Sequence, residues 1–410
     1  MVPEGWSRIA LAKIAEVRSG VAKGKKDIKN PVQVPYLRVA NVQDGYIDLT
    51  EVKKIEVEQD KLERYSLKYG DVLMNEGGDY DKLGRGDVWL EQIQPCLHQN
   101  HVFAVRPDSR ILDSFFLAAL AASYYGKTYF LSCAKRSTNL ASINSTQLKE
   151  FPTLVPPLPE QRKIATILST WDKAISTTER LIDNSKQQKK ALMQQLLTGK
   201  KRLLDDSGKP FEGVWEEITL ENLAKYRRGS FPQPYGNPAW VDEVNGYPFI
   251  QVYDIDKNMK LKPDTKIKIS DAAIGKSVFM PKETVIVSLQ GSIGRVAITQ
   301  YDAYVDRTVL LFQEFIVPMD KVFFAYTIQK LFEIEKTKAP GGTIKTITKE
   351  VLSNFKVHIP SFNEQQKISS VLINADQEIE VLEQQLADLK QEKKALMQQL
   401  LTGKRRVKLE

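Results

Sequence analysis

Apolar and polar positions between Leu168 and Leu196 alternate in steps of three and four, placing Leu168, Trp171, Ile175, Thr178, Ile182, Ser185, Lys189, Leu192 and Leu196 on one seam. The same rhythm returns in Leu372, Ala375, Ile379, Leu382, Leu386, Leu389, Lys393, Leu396 and Leu400. This is the a/d spacing of a coiled coil, broken once in the second copy by lysine. After Pro159 neither proline nor glycine occurs before Gly199, and the second copy behaves the same way up to Gly403. Each segment therefore predicts one helix of about forty residues, stopped by a glycine that lysine follows. At 1.5 Å per residue such a helix spans about 60 Å, more than one small domain covers, so it needs a partner. An antiparallel pairing of the two helices within the chain suits the connectivity. Packing of each helix on its own domain, or pairing of two chains, is the alternative, because heptads fix neither partner nor orientation.

The two seams belong to an internal repeat. The twelve residues Lys189–Lys200 return unchanged as Lys393–Lys404, a displacement of 204 residues. Upstream the register holds without a gap: Glu160-Gln161 answers to Glu364-Gln365, Asp172 to Asp376, and Ile143, Leu148, Phe151 and Pro156 to Ile347, Leu352, Phe355 and Pro360. The expected organisation is a first globular domain over residues 1–156, a helix over 157–203, a second domain over 204–359 and a second helix over 360–406. In the first domain a helix-like segment Leu11–Val17 precedes a basic loop, strand-like runs Tyr36–Val39, Asp71–Met74 and Val102–Val105, a glycine-rich loop Gly77–Gly86, and helical patterns around Phe115–Tyr129 and Asn144–Lys149. The second domain repeats the order with other residues: Arg227-Arg228-Gly229, Phe249–Val252, Thr284–Val287 and Gly291–Arg295, so that Gly84-Arg85 coincides with Gly294-Arg295. The fold class expected is mixed α/β, with two pseudo-repeated domains separated by two long antiparallel coiled-coil helices. Near-identical helices beside divergent domains suggest one scaffold presenting two recognition surfaces; neutral drift is the competing explanation.

Composition narrows the function without fixing it. With 59 basic against 51 acidic residues the chain carries a net charge of +8, compatible with a polyanionic partner. Two cysteines, Cys96 and Cys133, imply no disulfide framework and fit a reducing cytoplasm. No secretion signal is visible, and the most apolar stretch, Phe115–Tyr125, is too short to span a bilayer, so no membrane is expected as a partner. Catalytic and metal motifs find little support. Cys96, His98, His101 and Cys133 lack the two tight pairs of a zinc finger. The loop Gly77–Gly86 lacks the spacing of a nucleotide fingerprint, and no P-loop occurs. Asn237-Pro238-Ala239-Trp240 lacks the second proline of an amino-methyltransferase motif and reads as a turn, and the three histidines form no triad pattern.

Three features together resemble the specificity subunit of type I restriction-modification systems. These are two variable domains each followed by a long helix, the helix starts Pro-Leu-Pro-Glu-Gln-Arg-Lys-Ile (157–164) and Pro-Ser-Phe-Asn-Glu-Gln-Gln-Lys-Ile (360–368), and Leu-Leu-Thr-Gly-Lys closing both. The resemblance covers essentially the whole chain; Ser361 departs from it, standing where the family has the second proline of a pair. It implies a non-catalytic subunit whose domains each read one half of a split, asymmetric site in double-stranded DNA. The paired helices would set the distance between halves and dock two methyltransferase subunits, to which restriction (motor-nuclease) subunits can be added. It also implies no cofactor in this chain: S-adenosylmethionine, and ATP with magnesium, belong to the partner subunits.

Phosphates are met by cations or backbone amides, and bases by side chains with paired donors and acceptors. In the first domain Lys23, Lys25, Lys26, Arg85, Gln99, Asn100, Arg136 and Asn139 satisfy these needs in polar or glycine-containing stretches. In the second they are Arg227, Arg228, Gln290, Arg295, Lys338 and Lys345. Each one taken singly could equally be a solvated surface residue. Two other function classes compete: a coiled-coil scaffold whose domains bind proteins, distinguished by weak salt dependence, and an enzyme in which one domain methylates DNA, distinguished by binding of S-adenosylmethionine.

Overall fold

The computed structural model describes residues 2–23, 28–78, 80, 83–136, 140–338, 347 and 349–409, with backbone alone for 336–338, 349 and 350. The chain forms two compact units, Met1–Glu179 with Gln384–Glu410, and Arg180–Glu383. Both divisions fall inside the long helices, Leu158–Leu196 and Phe362–Leu400, each of 39 residues and displaced from one another by the repeat length of 204. Each unit thus holds one head, the first part of one long helix and the last part of the other.

In the first unit, strands Ala15–Ser19, Val102–Pro107, Val72–Asn75 and Gly86–Val88 form an antiparallel sheet in that order. A second sheet joins Lys53–Glu58, Pro31–Leu37 and Leu97–His98, the last pairing parallel. Strand Ser7–Ala10 pairs with Pro152–Val155 and brings the start of the head to the foot of its helix. The segment Leu11–Val17, expected as a helix, is instead a 3-10 turn, Leu11–Lys13, followed by strand Ala15–Ser19. The Leu11 amide donates to Phe151 O, and Ala15–Ser19 fills the edge beside Val102–Pro107, so long-range pairing overrides the local apolar spacing. The apolar run Phe115–Tyr125 divides at Ser123 into helices Ser114–Ala122 and Tyr124–Cys133, Ser123 capping the second. Their Phe116, Leu120 and Phe130 share a core with Val72, Phe151, Ile164, Leu168 and Leu400.

The second unit repeats this plan. Strands Ala224–Arg228, Val309–Phe315, Val285–Ser288 and Val296–Ile298 form the first sheet, and Ile267–Ile269, Tyr247–Ile250, Ala303–Val305 and Val278–Met280 the second. Strand Glu216–Thr219 pairs with Lys356–Ile359. Helix Lys321–Lys338 supplies Phe323, Phe324 and Phe332 to a core that includes Leu196, Ile368 and Leu372.

Within each unit the long-helix segments run antiparallel. Lys390 pairs with Glu179 at 2.7 Å and Lys393 with Asp172 in the first. Lys186 pairs with Glu383 at 2.6 Å and Lys189 with Asp376 in the second, the same pairs shifted by the repeat. On the seam, Leu168, Ile182, Leu196, Leu372, Ile379 and Leu400 are buried, while Trp171, Ile175, Leu192, Leu382, Leu386, Leu389 and Leu396 are half-buried. Gly199 and Gly403 end the helices with φ of +66° and +67°.

The repeated helix starts and ends lock together. Glu160, 2% exposed, accepts two hydrogen bonds from Arg406, at 2.7 and 2.8 Å; Glu364, 1% exposed, accepts two from Arg202 at the same distances. Gln161 accepts from the Asp113 amide at 2.8 Å and donates to Ile111 O and Pro156 O, while Gln365 accepts from the Asp320 amide at 2.9 Å and donates to Pro318 O and Pro360 O. The Glu-Gln pair at each helix start therefore fastens that helix both to its own head and to the tail of the other repeat. With Ser361 in place of a proline, the helix start keeps this geometry: the Gln365 amide donates to Ser361 O at 3.0 Å.

Candidate nucleic-acid interface

Strand register decides which loops meet. In the first head Ser19 lies opposite Phe103, Asn75 opposite Val102, and Met74 opposite Gly86. The loops that follow Ser19 and Asn75 and those that precede Val102 and Gly86 consequently emerge at one end of the sheet. They carry Lys23, Gln99, Asn100 and Arg85. The Val21 amide donates to His98 O at 2.8 Å and the Asn100 amide to Val21 O at 3.1 Å, tying the basic loop to the Gln99–His101 turn. Gly20 permits this approach, since a Cβ there would stand 2.0 Å from His98 O. Strand Lys135–Arg136 joins the same end through Ala141–Ser142, which pairs with Gly77–Gly78. There Arg136 sits 5.8 Å from the Tyr80 ring and lines an open groove of about 610 Å³ with Glu76, Gly77, Gly78, His101 and Lys135. Lys25, Lys26 and Asn139 lie outside the described residues.

The second head assembles its sheet end identically: Arg228 faces Leu310, Ser288 faces Val309, and Val287 faces Val296. This gathers Arg227, Arg228, Gln290 and Arg295, all exposed. Arg228 donates to Ile347 O at 3.2 Å and Arg295 to Ile255 O at 3.1 Å, each holding one end of its guanidinium. Lys338 closes helix Lys321–Lys338, its side chain undescribed, and Lys345 lies outside the described residues. Sequence reasoning missed Arg307, exposed in the turn before Val309 and 5.8 Å from the Tyr235 ring. Aligning His98-Gln99-Asn100-His101 with Val305-Asp306-Arg307-Thr308 would have found it. It also missed Arg202 and Arg406, each three residues beyond a helix-closing glycine.

The equivalence of Gly84-Arg85 and Gly294-Arg295 has a physical basis. Both glycines adopt positive φ, +67° and +77°, and a Cβ on either would come within 2.6 Å of Phe130 or 2.7 Å of Phe332. Each glycine lets its arginine leave the turn at the sheet end while an aromatic ring closes the core behind it. Cys96 and His98 of the first domain serve that interior. His98 donates from Nδ1 to Val102 O at 2.7 Å, and burial pushes its pKa down to about 4, so it is neutral. Burial pushes the Cys96 thiol up to about 12. Asp71, fully buried, accepts two hydrogen bonds of 2.7 Å from Arg106 and braces the two central strands. Among the described residues no three His, Cys, Asp or Glu side chains form a group that could hold a metal ion. Asn237 accepts from the Ala239 amide at 3.0 Å and caps a 3-10 turn, Pro238–Trp240. No helix of the described residues is long and apolar enough to cross a membrane.

Each head therefore presents guanidinium and carboxamide groups on loops at the end of a sheet, joined in the first head by the ammonium of Lys23, the groups that meet phosphates and base edges. Residues 3–185 and 212–391 match the family described as type I restriction modification DNA specificity domain. The chain is 28% identical over 418 residues, 99% of its length and 95% of the relative's, to a Methanocaldococcus jannaschii protein assigned as the specificity subunit of type I restriction enzyme MjaX. It is 24% identical to the EcoBI specificity subunit of Escherichia coli, covering 90% of this chain and 78% of that one. Its fold is shared, at 18% identity and a TM-score of 0.53 over 98% of both chains, with the crystal structure of the HsdS subunit from Thermoanaerobacter tengcongensis. A chain from a structural study of complex assembly and conformational transition in the type I R-M system reaches a TM-score of 0.64 at 17% identity over 98% of both chains.

Proposed function

The chain belongs to the type I restriction modification DNA specificity family, and from that membership we propose that it binds double-stranded DNA and directs methylation it does not itself catalyse. The domain over 1–156 reads one half of a split, asymmetric site, and the domain over 204–359 reads the other. The helices over 157–203 and 360–406 set the spacing between halves and dock two methyltransferase subunits, to which restriction subunits are added. S-adenosylmethionine, and ATP with magnesium, act in those partners, and the place of work is the prokaryotic cytoplasm. One observation carries the reading: two heads built on one strand framework gather different polar side chains at the same sheet end. A scaffold of this kind places two unlike readers on one frame.

Methylation by the chain co-expressed with its methyltransferase subunit, mapped by single-molecule sequencing, tests the proposal. A split motif that appears only when both proteins are present is expected. Methylation by this chain alone would make it an enzyme, and methylation independent of it would remove the specificity role. Inserting Leu-Leu-Thr-Gly into each long helix adds roughly 6 Å of helix, against about 3.4 Å per base pair of duplex. The gap between halves should then widen by about one or two base pairs, and an unchanged gap would exclude the helices as the spacer.

A further inference from the structure

The groove in the first head holds an acid where a polyanion is expected to lie. Glu76 follows strand Val72–Asn75, and its carboxylate accepts from His101 Nδ1; Lys135 and Arg136 line the same groove. Phosphates repel a carboxylate, so Glu76 contributes nothing to general DNA affinity there. A carboxylate can only accept, and the base edges that donate in the major groove are the amino groups of adenine N6 and cytosine N4.

The second head supplies an internal control. Because Asn75 faces Val102 as Ser288 faces Val309, Glu76 corresponds to Leu289 and His101 to Thr308. The backbone link is common to both: the Glu76 amide donates to His101 O at 3.0 Å, and the Leu289 amide to Thr308 O at 2.8 Å. The side chains are not. Leu289 is fully buried, and the Thr308 hydroxyl turns to Asp306 at 2.6 Å. The framework forms without an acid–imidazole pair, so Glu76 and His101 are not needed to build the turn. An exposed pair of this kind also adds little to stability.

We propose that Glu76 and His101 are the base-reading pair of the first head, selecting a base that offers an exocyclic amino group, adenine or cytosine, at one position of the first half-site. This rests on the reading under Proposed function. Glu76 accepts from the amino group, and His101, whose Nδ1 is held by that carboxylate, fixes the carboxylate's direction and offers Nε2 to the neighbouring edge.

The test uses the chain in complex with its methyltransferase subunit and duplexes in which every position of each half-site is changed through all four bases. The variants are Glu76→Gln, His101→Gln and Glu76→Asp. The two glutamine variants should lose roughly tenfold or more of the discrimination at one first-half position where the unaltered chain prefers adenine or cytosine. Discrimination in the second half should be unchanged, and Glu76→Asp should keep the preference. Full discrimination in both glutamine variants overturns the proposal. So does an equal fall in rate on every duplex in all three variants, which marks a structural or phosphate role. Failure of the unaltered chain to show any split motif would strike the underlying reading instead, and is seen before any variant is made.

Discussion

Each unit is fastened within itself by the same clasp, and the two clasps differ in how they are backed. In the second unit Glu364 takes both hydrogen bonds from Arg202, which also donates to Gly213 O, while Trp215 Nε1 is buried without a partner among the described residues. In the first unit Glu160 takes two bonds from Arg406 and a third from Trp6 Nε1, at 3.2 Å. Arg406 reaches Glu4 O as Arg202 reaches Gly213 O, so the clasps are otherwise alike. The difference shows which part of the clasp the two repeats share. The carboxylate–guanidinium contact, which joins sequence-distant repeats, is kept in both, whereas the indole contact is kept in one. The heads diverge further, down to the side chains of matched turns.

Loss of the guanidinium should produce the largest difference between the units. Arg202→Met leaves Glu364 buried with no remaining donor among those described, which should destabilise the second unit by about 3–5 kcal/mol. Arg406→Met leaves the Trp6 bond to Glu160, so the first unit should lose less. Hydrogen exchange read separately in each unit would show it, and equal losses would mean that the indole contributes nothing.

Acid should separate them next. His98 of the first head titrates at about 4 when folded against an ordinary 6.5, whereas its counterpart in the second head is Val305. Between those values the unfolded chain binds the extra proton, so stability falls as pH falls from 6.5 toward 4, by about 3 kcal/mol at the lower limit. Thermal unfolding from pH 7 to pH 4 should show the first head softening before the second, and His98→Gln should flatten that slope.

The indoles should then differ by about 1 kcal/mol: Trp6→Phe removes a bond to a buried carboxylate, and Trp215→Phe removes a donor that has no partner among the described residues. Denaturant titration should find the first change destabilising and the second neutral or better. The smallest contrast lies in the helix ion pairs. Lys189, paired with Asp376, also stands 4.8 Å from the Tyr326 ring, and the Tyr326 hydroxyl donates to Asp376. Lys393–Asp172 is the more exposed equivalent, with Asp172 58% exposed against 35% for Asp376. Removing Lys393 should cost under about 1 kcal/mol and less still in high salt. Removing Lys189 should cost more and keep more of its effect in salt.

Much of this was legible in the chain itself, for a definable reason. The long helices, their ends and their repeat rest on local periodicity, helix-breaking residues and identity at a fixed displacement, all of which a linear string contains. The match of Gly84-Arg85 to Gly294-Arg295 was readable because positive φ and an adjacent phenylalanine ring leave glycine little substitute. The segment Leu11–Val17 reads as helix because its apolar spacing fits either element, and only the neighbour Val102–Pro107 draws its second part into strand Ala15–Ser19.

The sequence by itself determined that there are two heads and two long amphipathic helices, which family they resemble, and which loops are polar enough to meet DNA. Tertiary structure alone decided which loops share an end, since that depends on strand register between segments far apart in the chain. It alone revealed that Arg202 and Arg406 are clasps, because their carboxylates lie 162 and 246 residues away. It alone set Glu76 against Leu289 and His101 against Thr308. Local preferences are written into a few neighbouring residues, whereas ion pairs and sheet ends arise from backbone geometry that only the folded chain supplies.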